Sequence, residues 1–155
     1  MTVQEYMATQ TERIAEALAF YLTTTPEDKL DWRPSLTEEV TTRSMLDQVK
    51  ECVSVNQRFA AMLRGESATS FPEVSFANGQ EAQEQLIASG KVLAEAIRGL
   101  SEEGMAQGYQ HPRGEILGSS LIMMAYRNMA YHAGQINFIQ TLYGDTEFRV
   151  PPNWR

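Results

Sequence analysis

Apolar residues recur at intervals of three and four along four stretches of the chain, and this spacing places them on one face of an α-helix. The predicted helices run from Val3 to Leu22, from Arg43 or Ser44 to Leu63, from Gln80 to Leu100, and from Ile116 to Tyr143. Pro26, Gly65 and Gly144 stand just beyond three of these stretches, where helices commonly end. No stretch alternates with the period of two that predicts a strand, so the expected fold class is all-α.

Two of the predicted helices carry long apolar seams. The second has Met45, Val49, Cys52, Asn56, Phe59 and Leu63, and the fourth has Leu117, Leu121, Met124, Asn128, Tyr131, Gln135, Phe138 and Leu142. The heptad-like steps of the fourth are typical of a helix buried in a bundle. Gly90 interrupts the third helix at a cost of about 1 kcal/mol relative to alanine, which indicates a close helix contact. These features predict a four-helix bundle with long connecting loops, formed as one domain by residues 1–155.

Two tryptophans lie outside the predicted helices. Trp32, in the connector between the first two, is expected to pack on the bundle for its area, and it could also form a wall of a pocket. Trp154, in the tail "FRVPPNWR", is expected to dock on the bundle or on a partner chain.

Composition narrows the function classes. The 155 residues carry a formal net charge of −7, and the basic residues are scattered singly, which argues against a nucleic-acid or anionic-membrane partner. No apolar run approaches the roughly 18 residues of a membrane span. Cys52 is the one cysteine, which fits a reducing compartment, and the N-terminus lacks the pattern of a secretory signal. A cytoplasmic location is therefore expected.

Polar residues on the seams are the candidates for chemistry. Asn128 and His132 are four apart on the fourth helix, and Gln48 and Cys52 are four apart on the second. Buried polar side chains must find partners, at a cost on the order of 1–3 kcal/mol each if they do not. His132 could be a packed core histidine, a metal ligand or a catalytic base. Cys52 could pair with it as a nucleophile, or be a small buried hydrophobe.

The other histidine, His111, precedes Pro112 in the loop "YQHPRGE". Proline marks turns and loops, so this histidine is expected to face solvent.

Two segments carry a resemblance to a known family. "LDWRPSLTEEVTTRSMLDQV", residues 30–49, contains Trp-Arg-Pro and a serine at the start of a helix, and "YRNMAYHAGQINFIQTLYG" contains His132 followed by Ala-Gly-Gln. Together with the spacing of four helices, these segments resemble the DinB-like superfamily, which includes YfiT-like proteins and relatives of thiol-dependent transferases. The resemblance implies the four-helix bundle of that family.

The resemblance also implies a place for a metal. In the family three histidines bind a divalent ion, typically nickel or zinc, and the corresponding positions here are Gln48, Asn128 and His132. A register one turn later would put Cys52 in the first position. Because neutral amides are poor ligands for zinc and nickel, we expect no resident metal, or nickel or zinc at low occupancy.

Three functions follow as hypotheses. The first is a metal-free or weakly metal-binding protein that binds a small molecule between the second and fourth helices, near Gln48, Cys52, Asn128, Tyr131 and His132, with Trp32 as a possible cover. The second is a divalent-metal-dependent hydrolase or thiol transferase that uses His132. The third is an interaction protein that forms a homodimer, as the resemblance allows.

Overall fold

The computed structural model describes residues 1–35, 37, 42–66, 68, 70–112 and 114–154. Within them the chain forms six α-helices, two strands and a short 3-10 helix. They are α1 (Val3–Thr23), α2 (Glu27–Leu30), α3 (Met45–Leu63), α4 (Gly79–Arg98), α5 (Glu102–Ala106), β1 (Gly108–His111), β2 (Gly114–Leu117), α6 (Gly118–Leu142) and the 3-10 helix Pro152–Trp154.

The long helices α1, α3, α4 and α6 form the bundle, so the predicted all-helical fold is confirmed. α1 packs against α4 and α6, and α3 packs against the same two helices. The predicted ends agree with the observed ones to within about two residues, and side-chain caps fix the starts of α1, α3 and α4. The Ser44 hydroxyl accepts a hydrogen bond from the Asp47 backbone N–H (3.1 Å), and the Asp47 carboxylate accepts one from the Ser44 N–H (3.0 Å).

The segment before α6 was predicted as loop, and it contains a small antiparallel hairpin instead. Tyr109 pairs with Ile116, and Gly114 at the turn adopts a φ of 108°, a conformation that favours glycine. Four-residue strands are too short to show a convincing alternation in the sequence. Tyr109 and Ile116 pack against the core, and α6 therefore begins at Gly118 instead of Ile116.

The seam predicted for α6 is wrong over most of its length. Of its members Leu121 is fully buried, but Tyr131 is 65% exposed, Phe138 63% and Leu142 48%. The buried stripe is Leu121, Ile122, Ala125, Met129, His132, Ala133, Ile136, Ile139 and Gln140. Both stripes are apolar and helically spaced, so periodicity alone favours neither. The exposed stripe forms one wall of the cleft described below, and the predicted homodimer stays a prediction.

The C-terminal segment docks on α1 of the same chain, which is one of the two placements expected for it. The Asn153 side-chain amide donates to the Arg13 carbonyl (2.9 Å) and to the Glu16 carboxylate (3.0 Å), and the Arg13 guanidinium donates to the Asn153 carbonyl. Trp154 lies beside Arg13 and Tyr126, with about half of its surface exposed.

Gly90 and Gly134 provide a matched stability test. A Cβ built on Gly90 would lie 2.7 Å from the Ala15 Cβ of α1, whereas one on Gly134 meets nothing within 4 Å. We expect Gly90→Ala to lower the free energy of unfolding by roughly 1–2 kcal/mol, since overpacking outweighs the gain in helix propensity. Gly134→Ala should raise it by up to about 1 kcal/mol. Urea unfolding of both variants checks the pair, and equal signs would contradict it.

Candidate functional site

A cleft of about 740 Å³ opens between α3 and α6 at the end of the bundle where α3 begins. Its lining combines a polar floor with an apolar wall. The lining residues are Pro34, Thr42, Arg43, Gln48, Glu51, Asn128, Tyr131, His132, Gln135, Phe138, Ile139 and Leu142. A concave surface with a few convergent polar groups among apolar ones is the usual form of a small-molecule site.

His132 lies at the floor of this cleft and is 3% exposed. Its Nδ1 is 2.8 Å from Gln135 Oε1 and 3.1 Å from Gln48 Oε1, and both of these atoms are acceptors. Nδ1 therefore carries the proton in this arrangement, which fixes the ring orientation. The other nitrogen, Nε2, is directed at Glu51 Oε1 at 3.3 Å, an ion-pair distance, but it makes no aligned hydrogen bond.

Glu51 connects the polar residues of the floor. Its Oε1 accepts a hydrogen bond from Asn128 Nδ2 (3.0 Å), and its Oε2 pairs with the Arg43 guanidinium at the cleft mouth. Partial burial alone would raise the pKa of this carboxyl group. The interactions with Arg43, His132 and Asn128 outweigh that effect and hold the pKa below its usual value. Glu51 is therefore a carboxylate at neutral pH.

Two buried polar atoms at the floor remain without a hydrogen bond among the described residues. Asn128 uses its Nδ2 on Glu51, but its buried Oδ1 has no partner, and the same holds for His132 Nε2. A buried polar atom without a partner carries a desolvation cost on the order of 1–3 kcal/mol. A bound molecule that donates hydrogen bonds at this point would relieve that cost.

The predicted site residues separate into two groups. Gln48, Asn128, Tyr131 and His132 meet in the cleft, whereas Cys52 is fully buried in the core and does not line it. Burial raises the pKa of the Cys52 thiol, so the thiol stays neutral and is a poor nucleophile.

Trp32 packs edge-on against Tyr143, with ring centroids 6.0 Å apart, and lies outside the lining of the cleft. This packing is the first of the two roles expected for it. His111, expected to face solvent, is half-buried on β1 with its ring against Phe59.

Sequence reasoning missed Glu51 and the role of Gln135. Glu51 lies three residues after Gln48 and therefore shares its helix face, and Gln135 lies three residues after His132. That spacing was the available signal. A charged residue between apolar positions of a helix usually faces solvent, so the sequence did not indicate Glu51 as a site residue.

The sequence matches a known protein family, and the fold is similar to that of a solved structure. A model of the family described as the DinB superfamily matches residues 10–136. The chain belongs to the DinB superfamily. The fold is also similar to the crystal structure of a DinB-like protein from Bacillus subtilis, with a TM-score of 0.69 and 15% sequence identity over 96% of this chain and 97% of that one. Among curated proteins, none matches the sequence significantly.

The residues of this DinB-superfamily protein do not fit a metal held by three imidazoles. The chain has two histidines. Beside His132 Nε2 lies the Glu51 carboxylate, which accepts a hydrogen bond from the side-chain amide of Asn128. Within the described ranges no group of three His, Cys, Asp or Glu side chains is placed to hold an ion. Arg43 also occupies the Glu51 carboxylate, which works against binding a second cation there.

In the part of the chain that the structure describes, no helix is long and apolar enough to cross a bilayer.

Proposed function

We propose that this DinB-superfamily protein binds a small amphipathic molecule in the cleft between α3 and α6, and that this binding does not depend on a resident metal ion. The observation that carries the proposal is the pair of buried polar atoms without a hydrogen-bond partner among the described residues, Asn128 Oδ1 and His132 Nε2, at the floor of a cleft with an apolar wall. Tyr131, Phe138 and Leu142 supply that wall and are exposed along the cleft.

The donor and acceptor inventory favours one kind of head group. The floor offers the Glu51 carboxylate and the Asn128 carbonyl oxygen, and the proton on His132 Nδ1 is already directed at two amide oxygens. A ligand head must therefore donate hydrogen bonds, as a primary amine or a hydroxyl group does. An anionic head would bring no donor and would face the Glu51 carboxylate. The Arg43 guanidinium at the cleft mouth is already paired with that carboxylate and with the Asp47 carbonyl, so an anionic head should bind more weakly than a donor head.

A matched series of six-carbon probes tests this proposal: hexylamine, hexanol and hexanoate, titrated at neutral pH and followed by amide chemical shifts. We expect the amine and the alcohol to bind with shifts centred on Asn128 and His132, and hexanoate to bind at least about tenfold more weakly, the factor that 1.4 kcal/mol gives. Treatment with a chelator should change none of these affinities.

Variants at the floor provide the control. Asn128→Ala removes an acceptor from the cleft and should weaken the amine and the alcohol by about fivefold, the factor that a net hydrogen-bond contribution near 1 kcal/mol gives. Gln80→Ala, on the exposed first turn of α4, should leave both unchanged. Equal binding of all three probes, or binding only after zinc or nickel is added, would overturn the proposal.

A further inference from the structure

A second cavity of about 500 Å³ continues the α3–α6 groove beyond the polar floor. It shares Asn128 and Tyr131 with the first cavity. On α3 the lining passes from Gln48 and Glu51 in the first cavity to Val55 and Phe59 in the second. These positions are separated by three or four residues, so they form one stripe along the helix.

The lining is also continuous along α6. The lining residues of this helix run from Leu142, at the far end of the first cavity, through His132 to Met124 in the second. Eighteen residues of helix correspond to about 27 Å at 1.5 Å per residue. The two cavities are therefore consecutive parts of one groove, with Asn128 and Glu51 between its two apolar ends.

The two apolar ends differ in how well they would cover a hydrocarbon chain. The Leu142 end is open, because Phe138 and Leu142 themselves are largely exposed. The second cavity has two buried wall residues on α3, Val55 and Phe59, together with the half-buried Met124 of α6. Its lining also includes the more exposed Phe71, Arg127 and Tyr131. Since the hydrophobic contribution grows with the apolar area removed from water, a tail gains more in the second cavity.

The walls of the second cavity are also held in place. The buried Arg58 side chain lies over the Phe71 ring, with its guanidinium carbon 4.2 Å from the ring centroid. The His111 ring of the hairpin packs edge-on against Phe59, with centroids 6.2 Å apart. These contacts position two aromatic side chains of the lining, Phe59 and Phe71, before any ligand enters, which lowers the entropic cost of binding.

We infer that the second cavity is the tail compartment of this site, and that the ligand class is a single-tailed amphiphile whose donor head contacts Asn128 and whose hydrocarbon tail runs toward Met124 and Phe59. The inference rests on the proposed function, because it extends the same site. It adds a direction for the tail and a dependence of affinity on tail length.

The test is a series of primary amines with tails from about four to about twelve carbons, whose affinity should rise about fourfold per methylene until the compartment is full. Met124→Trp should fill the compartment, so that the rise of affinity with tail length is lost. Leu142→Trp fills the opposite, open end of the groove instead and should leave that rise intact.

A second measurement avoids dependence on a variant that folds poorly. In the unchanged protein with labelled methionine methyl groups, the terminal methyl of a long amine should show nuclear Overhauser contacts to Met124. Loss of the length dependence in Leu142→Trp alone, or contacts of that methyl to Leu142, would overturn the tail assignment and leave the proposed function standing. Failure of every amine to bind would overturn the proposed function as well.

Discussion

Replacing Asn128 by histidine is expected to give a chain that retains about one zinc ion through purification. The substitution puts two imidazoles four residues apart on α6, both near Glu51, whose Oε1 now lies 3.0 Å from Asn128 Nδ2 and 3.3 Å from His132 Nε2. Two histidines and a glutamate form a zinc-binding set that catalytic sites use. Arg43 pairs with Oε2 of Glu51, so Oε1 can serve as the ligand, and the second imidazole supplies the affinity that the unchanged site lacks. The unchanged chain has one imidazole there and should hold zinc at least about a hundredfold more weakly. Substituting a residue that only hydrogen-bonds to a metal ligand already lowers metal affinity by about 10–100-fold, and the loss of a ligand should cost at least as much.

Elemental analysis and competition with a chromophoric chelator measure this gain, and Gln48→His is the matched control. Gln48 contacts His132 Nδ1, the nitrogen directed away from Glu51, so an imidazole at that position should add little affinity. A gain in Gln48→His without one in Asn128→His would show that the metal side of the ring is Nδ1. Stoichiometric zinc or nickel in the unchanged protein, lost in His132→Ala, would overturn the metal-independent part of the proposed function.

The helices of the bundle could be predicted from sequence because their signals are local. Ser44 and Asp47 form a capping box at the start of α3, and Gly144 follows the end of α6. The rotation of α6 could not be predicted in this way. Tyr131 and Phe138 mark one face and Met129 and Ile136 another, and only the packing of α1 and α3 decides which face is buried.

The candidate site was predicted in part for a related reason. His132, Asn128 and Gln48 interrupt apolar seams, and an interruption is visible in the sequence. Glu51 is not such an interruption, and its role depends on a contact across 77 positions of the chain, with Asn128. Cys52 is one position from Glu51 in the chain, yet it faces the core, because neighbouring helix positions differ in direction by about 100°.

Not every polar residue on a seam belongs to the cleft, and Asn56 shows the difference. It is fully buried on α3, donates to Ser89 Oγ at 3.2 Å and lies against the Met129 sulfur at 3.4 Å. Its Oδ1 has no partner among the described residues, as with Asn128, but none of the cavities described above is lined by Asn56. Asn56 therefore lies outside the candidate site.

Asn56→Asp is therefore expected to destabilise the fold by about 3–5 kcal/mol at neutral pH, because it places an uncompensated carboxylate in the core. That loss is a large part of the roughly 5–15 kcal/mol that stabilises a typical domain. Burial raises the pKa of a carboxyl group in the folded state, so the deficit should be small below about pH 4, near the unfolded pKa, and should grow as the pH rises through the folded pKa.

Asn56→Leu is the matched variant, with the same branching at Cγ and no charge. Ser89 keeps its hydrogen bond to the Leu86 carbonyl (2.9 Å) when Asn56 is removed, so no new unpaired group is left in the core. Its stability should therefore stay within about 1 kcal/mol of the unchanged protein. Urea unfolding of the two variants and the parent between pH 4 and pH 8 measures both effects. A deficit of Asn56→Asp that does not change with pH would attribute the loss to packing and contradict the burial of a charge.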